Sequence, residues 1–131
     1  MNAMVRHFFR YQFPAVAWAA MIFIASSIPG HNLPKFALMI NDKVIHATIF
    51  FVLGMLVYRA LEPRVKVEIF NWRRLLLAVT VVVAYGFVDE FHQSFVPGRT
   101  VDIKDASADA VGGIVAGIII YFASFRKRNA V

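Results

Sequence analysis

Four long apolar blocks, separated by short polar segments, constrain the fold of this chain more than any other feature of its sequence. Each block approaches the about 20 residues that an α-helix needs to cross the hydrocarbon core of a bilayer. Hydrophobic residues make up 60% of the 131 residues and charged residues only 17%, too few polar side chains to cover a soluble surface. The chain has no Cys, which excludes a disulfide-stabilised secreted domain. We predict one integral membrane domain over residues 1–131.

The blocks predict four membrane spans, at about residues 11–28, 44–61, 75–95 and 105–125. Pro14 is compatible with the opening turn of the first span. The third span must continue through polar residues, because its purely apolar run ends at Val88 and is too short to cross. The sequences Pro29-Gly30 and Pro97-Gly98 predict turns after the first and third spans. The expected fold is an all-α, four-helix membrane bundle.

The basic residues predict the orientation of these spans. The net charge of +6 is carried in short runs between apolar blocks, which is a membrane pattern and not that of a nucleic-acid-binding surface. Ten of the 14 Lys and Arg residues lie before the first span, at the end of the second span (Arg59), between the second and third spans, or in the tail. The other two loops and their helix ends hold Lys35, Lys43, Arg99 and Lys104. Basic residues stay on the cytoplasmic side, so we expect both termini inside and the two Pro-Gly loops outside.

The acidic residues have the opposite distribution. Six of the eight lie at the predicted outer helix ends: Asp42, Asp89, Glu90, Asp102, Asp105 and Asp109. Acidic residues contribute little to membrane topology, so this asymmetry needs another explanation.

Helical spacing places several polar side chains on shared faces. In the second span, Asp42 and His46 are four residues apart and lie on one face. In the third span, the same periodicity predicts one polar stripe, with Glu90 beside it. The stripe comprises Tyr85, Asp89, His92 and Gln93. Asp102, Asp105 and Asp109 lie at the outer start of the fourth span, so three helices present polar groups at a similar depth.

Some of these residues have simpler structural interpretations. His46 alone is compatible with an interhelical hydrogen bond, and Asp105 with helix capping. Gly112, Gly113 and Gly117 are typical of close helix packing. Asp89, Glu90 and Asp109 are harder to explain, because an ionisable group within a span costs about 2.5–3.5 kcal/mol and usually marks a functional site. We therefore expect a functional site at the outer ends of the helices.

The ordered motifs are similar to those of the VanZ-like family of small bacterial membrane proteins, over about residues 18–122. They read Asp42-Lys43-x-x-His46, Tyr85-Gly86-x-x-Asp89-Glu90-x-His92-Gln93, Val96-Pro97-Gly98-Arg99-x-x-Asp102-x-x-Asp105 and Asp109-x-x-Gly112. The resemblance implies a multi-pass protein of the bacterial cytoplasmic membrane and an accessory role in glycopeptide resistance, associated with teicoplanin. This chain has Asp109 where the family pattern commonly places Asn. The additional acid would strengthen cation binding or change protonation in the cluster, and it is incompatible with a role that needs an amide donor.

Three classes of function are compatible with this site. In an enzyme acting on a lipid-linked or cell-wall substrate, crowded carboxylates could serve as acid and base, with a histidine as proton carrier. The candidate catalytic residues are Asp89, Glu90, His46, His92 and Asp105. The candidate substrate-binding residues are Arg99, Gln93, Lys43, Asp42, Asp102, Asp109 and Tyr85, with Arg99 suited to an anionic group.

The alternative is a binding protein that captures a ligand or shields wall precursors without catalysis. An ion- or proton-coupled transporter fits less well, because the cytoplasmic halves of the spans contain almost no ionisable groups. A divalent cation is a further hypothesis, with candidate ligands His46, Glu90, His92 and Asp105, although no His-Glu-x-x-His motif is present. A Gly-x-Ser-x-Gly nucleophile motif is also absent. The expected partners are membrane lipid and a wall precursor, and the substrate and oligomeric state stay open.

Overall fold

The computed structural model describes residues 2–32, 42–62 and 71–128, and in these ranges the protein is helical with no strand. Four long helices follow one another along the chain: α1 (Ala3–Ser26), α2 (Asp42–Ala60), α3 (Trp72–Gln93) and α4 (Ile103–Arg128). All four are long and apolar enough to cross a membrane. The predicted all-α architecture with four spans is confirmed. Lys35, Arg64, Lys66 and Glu68, which entered the charge argument, lie outside the described residues.

The helices begin earlier than the predicted spans, for local chemical reasons. α1 begins at Ala3, before Pro14, and the turns that precede the proline are a π-helical segment, Phe8–Gln12. Proline lacks an N–H and its ring crowds the carbonyl four residues earlier, so a wider turn accommodates it within a continuing helix. α3 begins at Trp72 because the Asn71 side chain accepts hydrogen bonds from the first free backbone N–H groups.

Small residues bring the helices together. The most extensive contact in the bundle is between α2 and α4, followed by that between α3 and α4. At Gly112 of α4, a Cβ atom would lie 2.2 Å from the backbone oxygen of Ala47 in α2. Gly113 and Gly117 similarly face Val82 and Val79 of α3. The predicted close packing through the three glycines is confirmed.

α1 is the peripheral helix. Only 11% of its apolar stretch is buried within the chain, compared with 33% for α4. Side-chain hydrogen bonds to backbone carbonyls attach it to the other helices: Trp18 Nε1 donates to Ile49 (3.1 Å), the Tyr85 hydroxyl donates to Ala19 (2.7 Å), and Arg59 donates to Arg10 (3.2 Å). Polar contacts therefore add to apolar packing in holding α1 in place.

The two ends of the bundle differ in chemistry. At one end, Gly30 N donates to the carbonyl of Pro97, so the two predicted Pro-Gly turns meet. Gly98 supports this contact, because its φ of +74° is readily adopted only by glycine. At the other end Arg74 pairs with Glu62 and lies over the Tyr58 ring. Apart from Glu62, the described acidic residues lie at the Pro-Gly end.

Candidate functional site

Buried polar side chains collect where α2, α3 and α4 meet near the Pro-Gly end. Asp109 is fully buried, and four further side chains are at least nine-tenths buried: Asp89, Glu90, Gln93 and Asp105. We call Asp42, Lys43, His46, Asp89, Glu90, Gln93, Asp102, Asp105 and Asp109 the polar cluster. α2 contributes the first three and α3 the next three; Asp105 and Asp109 lie in the first turns of α4, and Asp102 directly precedes that helix.

His46 and Asp109 form the centre of the polar cluster. His46 Nδ1 lies 2.9 Å from Asp109 Oδ1, within hydrogen-bond distance. Its Nε2 lies 3.8 Å from Asp42 Oδ1, so the imidazole stands between carboxylates of two helices. Gly86 of α3 makes room for Asp109, since a Cβ atom there would lie 2.9 Å from the Asp109 Cβ. The Tyr85-Gly86 part of the motif thus shapes the site without supplying chemistry to it.

The buried carboxylates are only partly satisfied. Glu90 Oε2 accepts a hydrogen bond from the backbone N–H of Asp102 (3.2 Å), and Asp89 Oδ2 accepts one from Gln93 Nε2 (2.9 Å). Among the described residues, no partner is found for Asp89 Oδ1, Glu90 Oε1 or Asp109 Oδ2. A buried polar atom without a partner costs about 1–3 kcal/mol, more when it is charged. Three such atoms in one cluster indicate groups that are completed by a proton, a ligand or an ion.

Lys43 links α2 to the start of α4. Its ammonium pairs with Asp105 and, at 3.2 Å, with Asp102. The backbone N–H of Lys104 donates to Asp102 Oδ1, and together with Lys43 it holds the pKa of the Asp102 carboxyl below its usual value. Lys43, Asp102 and Asp105, three candidates from the sequence, are therefore in contact.

Two overlapping groups of the polar cluster have the spacing of metal ligands. Asp42, His46 and Asp105 form one group, and His46, Glu90 and Asp109 form the other. Within each group the potential ligand atoms lie within 4.8 Å of one another. The sequence placed Asp109 among the substrate-binding residues and expected it to strengthen cation binding or change protonation, but did not name it as a metal ligand. In the structure, Asp109 belongs to the more deeply buried of the two metal-spaced groups.

The remaining candidates lie against α1. His92 Nε2 is 2.9 Å from the Ser27 hydroxyl, and the His92 ring is 4.3 Å from that of Phe23. Arg99 donates to the backbone oxygens of Ala25 and Ile28 at the end of α1.

The predicted stripe on α3 is therefore divided. Asp89 and Gln93 lie in the polar cluster, whereas Tyr85 and His92 hold α1. The predicted ligand set is divided too, since His92 belongs to neither metal-spaced group in the described chain. Its partner, Ser27, had no distinguishing signal in the sequence. The guanidinium of Arg99, which the sequence suggested for an anionic group, donates to helix-end carbonyls in this structure.

A groove between α2 and α4 leads to the polar cluster. Its volume is about 550 Å³. Apolar side chains such as Phe51, Val111 and Val115 line most of it, and two lysines, Lys43 and Lys104, lie among its lining residues. Because Lys43 also contacts Asp102 and Asp105, the groove and the carboxylates are adjacent.

This arrangement can support two kinds of chemistry. Neighbouring carboxylates with different surroundings can hold different protonation states, and His46 lies within reach to carry a proton. Alternatively, oxygen and nitrogen atoms at metal-ligand spacing can bind a divalent cation. Both require the same buried groups, Glu90, Asp109 and His46.

Comparison with known proteins identifies a family for the chain. No curated protein and no solved structure matches the chain significantly. The family model described as VanZ/LLP1 matches residues 4–125, which include all four helices' apolar stretches and every residue of the polar cluster. This chain belongs to the VanZ/LLP1 family.

Proposed function

We propose that this protein acts on a lipid-linked cell-wall precursor at the outer face of the bacterial cytoplasmic membrane, with the polar cluster as its active site. The observation that carries the proposal is the contact between groove and cluster through Lys43. An apolar chain in the groove would place its anionic headgroup beside the two lysines. The headgroup would then adjoin the buried Glu90, Asp109 and His46.

The outward orientation is part of this proposal and is supported by the charge distribution. Ten of 14 basic residues lie on the side that we assign to the cytoplasm, opposite the polar cluster. The cluster would then face the compartment in which wall precursors are polymerised. In this setting Glu90 and Asp109 would serve as acid and base, and His46 would position Asp109 and exchange its proton.

A second groove provides a useful contrast. It lies between α3 and α4, has a volume of about 360 Å³, and is lined by apolar and aromatic residues from Trp72 to Phe122 with no charged side chain. Such a groove would accommodate membrane lipid without selecting a headgroup. The charged end of the α2–α4 groove is what favours a specific amphiphilic substrate there.

Capture of the precursor without turnover is the second candidate function. It is favoured by the lack of a recognised nucleophile motif in the sequence. In both cases, altered availability of the precursor would change susceptibility to glycopeptides, which act on such precursors. Teicoplanin susceptibility is therefore the cellular readout for either candidate.

The experiment uses one groove variant, one cluster variant and a matched control. Val111→Trp would fill the α2–α4 groove, whereas Val81→Trp places the same side chain on an exposed position of α3 that lines neither groove. Glu90→Gln removes a buried carboxylate while retaining its shape. With equal protein levels in the membrane, we expect Val111→Trp and Glu90→Gln to lose the teicoplanin phenotype and Val81→Trp to retain it.

Purified protein in nanodiscs then separates the two candidates. Mass spectrometry of an added polyprenyl-phosphate-linked wall precursor would show a changed mass for an enzyme and an unchanged, co-purifying lipid for a binding protein. If Val111→Trp and Glu90→Gln both behave as the unmodified protein in cells, and the precursor is neither bound nor altered, the proposed function is wrong.

A further inference from the structure

We propose that His46, Glu90 and Asp109 bind a divalent transition-metal cation, zinc or manganese. The inference concerns the same site as the proposed function and, for its role in the reaction, rests on that proposal. Each of α2, α3 and α4 supplies one ligand, so the cation would join three helices at their point of contact. The potential ligand atoms already lie within 4.8 Å of one another.

The unpartnered oxygens are an independent sign of a missing ligand. Glu90 is only 4% exposed and Asp109 is fully buried, yet Glu90 Oε1 and Asp109 Oδ2 have no hydrogen-bond partner in the described chain. The other oxygen of each residue is occupied, by the backbone N–H of Asp102 and by the His46 ring respectively. These hydrogen bonds hold each carboxylate, and with it the unpartnered oxygen, in a fixed orientation. Side chains that bind a metal ion are usually oriented in the same way.

The charge balance favours a cation over further hydrogen bonding. Of the basic residues at this end of the bundle, Lys43 pairs with Asp102 and Asp105, and Arg99 donates to carbonyls at the end of α1. Several buried acids thus share one end of an apolar bundle. A divalent cation would compensate two carboxylates with a single ion.

The donor set selects the class of metal. Two carboxylates and one imidazole suit zinc or manganese, whereas magnesium and calcium prefer oxygen ligands alone.

The second metal-spaced group provides a route for the ion. The Asp42 side chain is 62% exposed. Asp42 and Asp105 form a metal-spaced group with His46, and His46 also belongs to the buried group. A cation arriving from solvent would meet Asp42 and Asp105 first, and could then pass to Glu90 and Asp109 while His46 remains a ligand.

The test measures metal binding directly, with no substrate present. Protein purified in detergent, treated with EDTA and desalted, is titrated with zinc chloride by calorimetry and with manganese chloride by electron paramagnetic resonance. We expect one ion per chain for at least one of the two metals. Glu90→Gln and Asp109→Asn should each weaken that binding at least tenfold.

Asp89→Asn is the matched control, because Asp89 is the neighbour of Glu90, is equally buried and also has an unpartnered oxygen, but belongs to neither metal-spaced group. It should change the affinity less than threefold. Thermal melts of all variants with and without the metal verify folding, since only an intact site should be stabilised by the ion.

Absence of stoichiometric zinc and manganese binding, or equal loss in Asp89→Asn and Glu90→Gln, would overturn the inference. The outcome is separable from that of the proposed function. Metal binding with this pattern would leave the cation site in place and refute the function if the groove and cluster variants also behave as the unmodified protein in cells and the precursor is neither bound nor altered. Loss of the phenotype in the groove and cluster variants, without this pattern of metal binding, would refute the cation site alone.

Discussion

Adding one methyl group at Gly112 should be among the most damaging small changes in this protein. A Cβ atom at this position would lie 2.2 Å from the Ala47 oxygen, 3.0 Å from the Ala47 carbonyl carbon and 2.9 Å from the Phe51 nitrogen. Ordinary contact begins at 3.4 Å, so the first distance is about 1.2 Å too short. All three atoms belong to the backbone of α2 and cannot rotate away.

The helices must therefore separate to admit Gly112→Ala. Overpacking usually costs about 1–3 kcal/mol when neighbouring side chains can adjust. Here two helix backbones would have to move apart at the largest interface in the bundle, so we expect a loss of at least about 3 kcal/mol in the free energy of unfolding. That corresponds to roughly a 100-fold reduction in the folding equilibrium constant. The intrinsic gain from replacing glycine in a helix, about 0.5–1 kcal/mol, is too small to compensate.

Gly117→Ala is the matched control on the same helix. Its nearest atom would be Val79 Cγ2, at 2.9 Å, and the next Leu75 Cδ1, at 3.7 Å. Both are side-chain and not backbone atoms, but Val79 is branched and stiff, so we expect an ordinary overpacking cost of about 1–3 kcal/mol. Replacing a helical glycine offsets about 0.5–1 kcal/mol of that cost, so the loss should be smaller than for Gly112→Ala. Equilibrium unfolding in mixed micelles, followed by circular dichroism, measures both variants. A wild-type unfolding midpoint for Gly112→Ala, or an equal loss in Gly117→Ala, would show that backbone contact does not determine the stability of this interface.

Three further predictions concern orientation and the polar residues. Reporter fusions after Lys66 and Val131 should indicate the cytoplasm and one after Pro34 the outside, because basic residues stay inside; an external signal after Val131 would reverse the assigned orientation. In chelator-treated protein, Asp89→Asn and Glu90→Gln should leave the melting temperature unchanged or raise it, because like charges are removed from a strained site; a marked fall in thermal melts would indicate a purely structural network. Arg99→Lys should lower stability by about 1 kcal/mol, because a lysine cannot reproduce the fork that reaches both Ala25 and Ile28. The same variant should keep the teicoplanin phenotype when expression is matched, and loss of phenotype at normal stability would assign Arg99 to the substrate after all.

Several features of the fold were predictable because they depend on local sequence. Block length and hydropathy predict the four helices, since a span must be apolar over a fixed length. The glycine contacts followed from a spacing that places Gly113 and Gly117 on one face of a helix. The start of α1 was not predictable in this way. A proline such as Pro14 is typical of the first turn of a helix, and the sequence does not indicate the π-helical segment that lets α1 begin before it.

The composition of the candidate site was predictable only in part. The sequence identified every member of the polar cluster, because ionisable residues in an apolar helix are conspicuous. Helical periodicity predicts which residues share a face of α3, but not which neighbouring helix that face contacts. Asp89 and Gln93 share a stripe with Tyr85 and His92 in the sequence, yet the first pair lies in the polar cluster and the second pair contacts α1.

The physical reason is that periodicity describes one helix, whereas a site is made between helices. The sequence by itself determined how many helices form and which residues lie at the same depth in each. Only the tertiary structure decided that Asp109 contacts His46 across the α2–α4 interface, because that contact depends on how closely Gly112 lets the two backbones approach. It also decided that Arg99 donates to the end of α1, since the distance between two chain segments 71 residues apart is not contained in any local pattern.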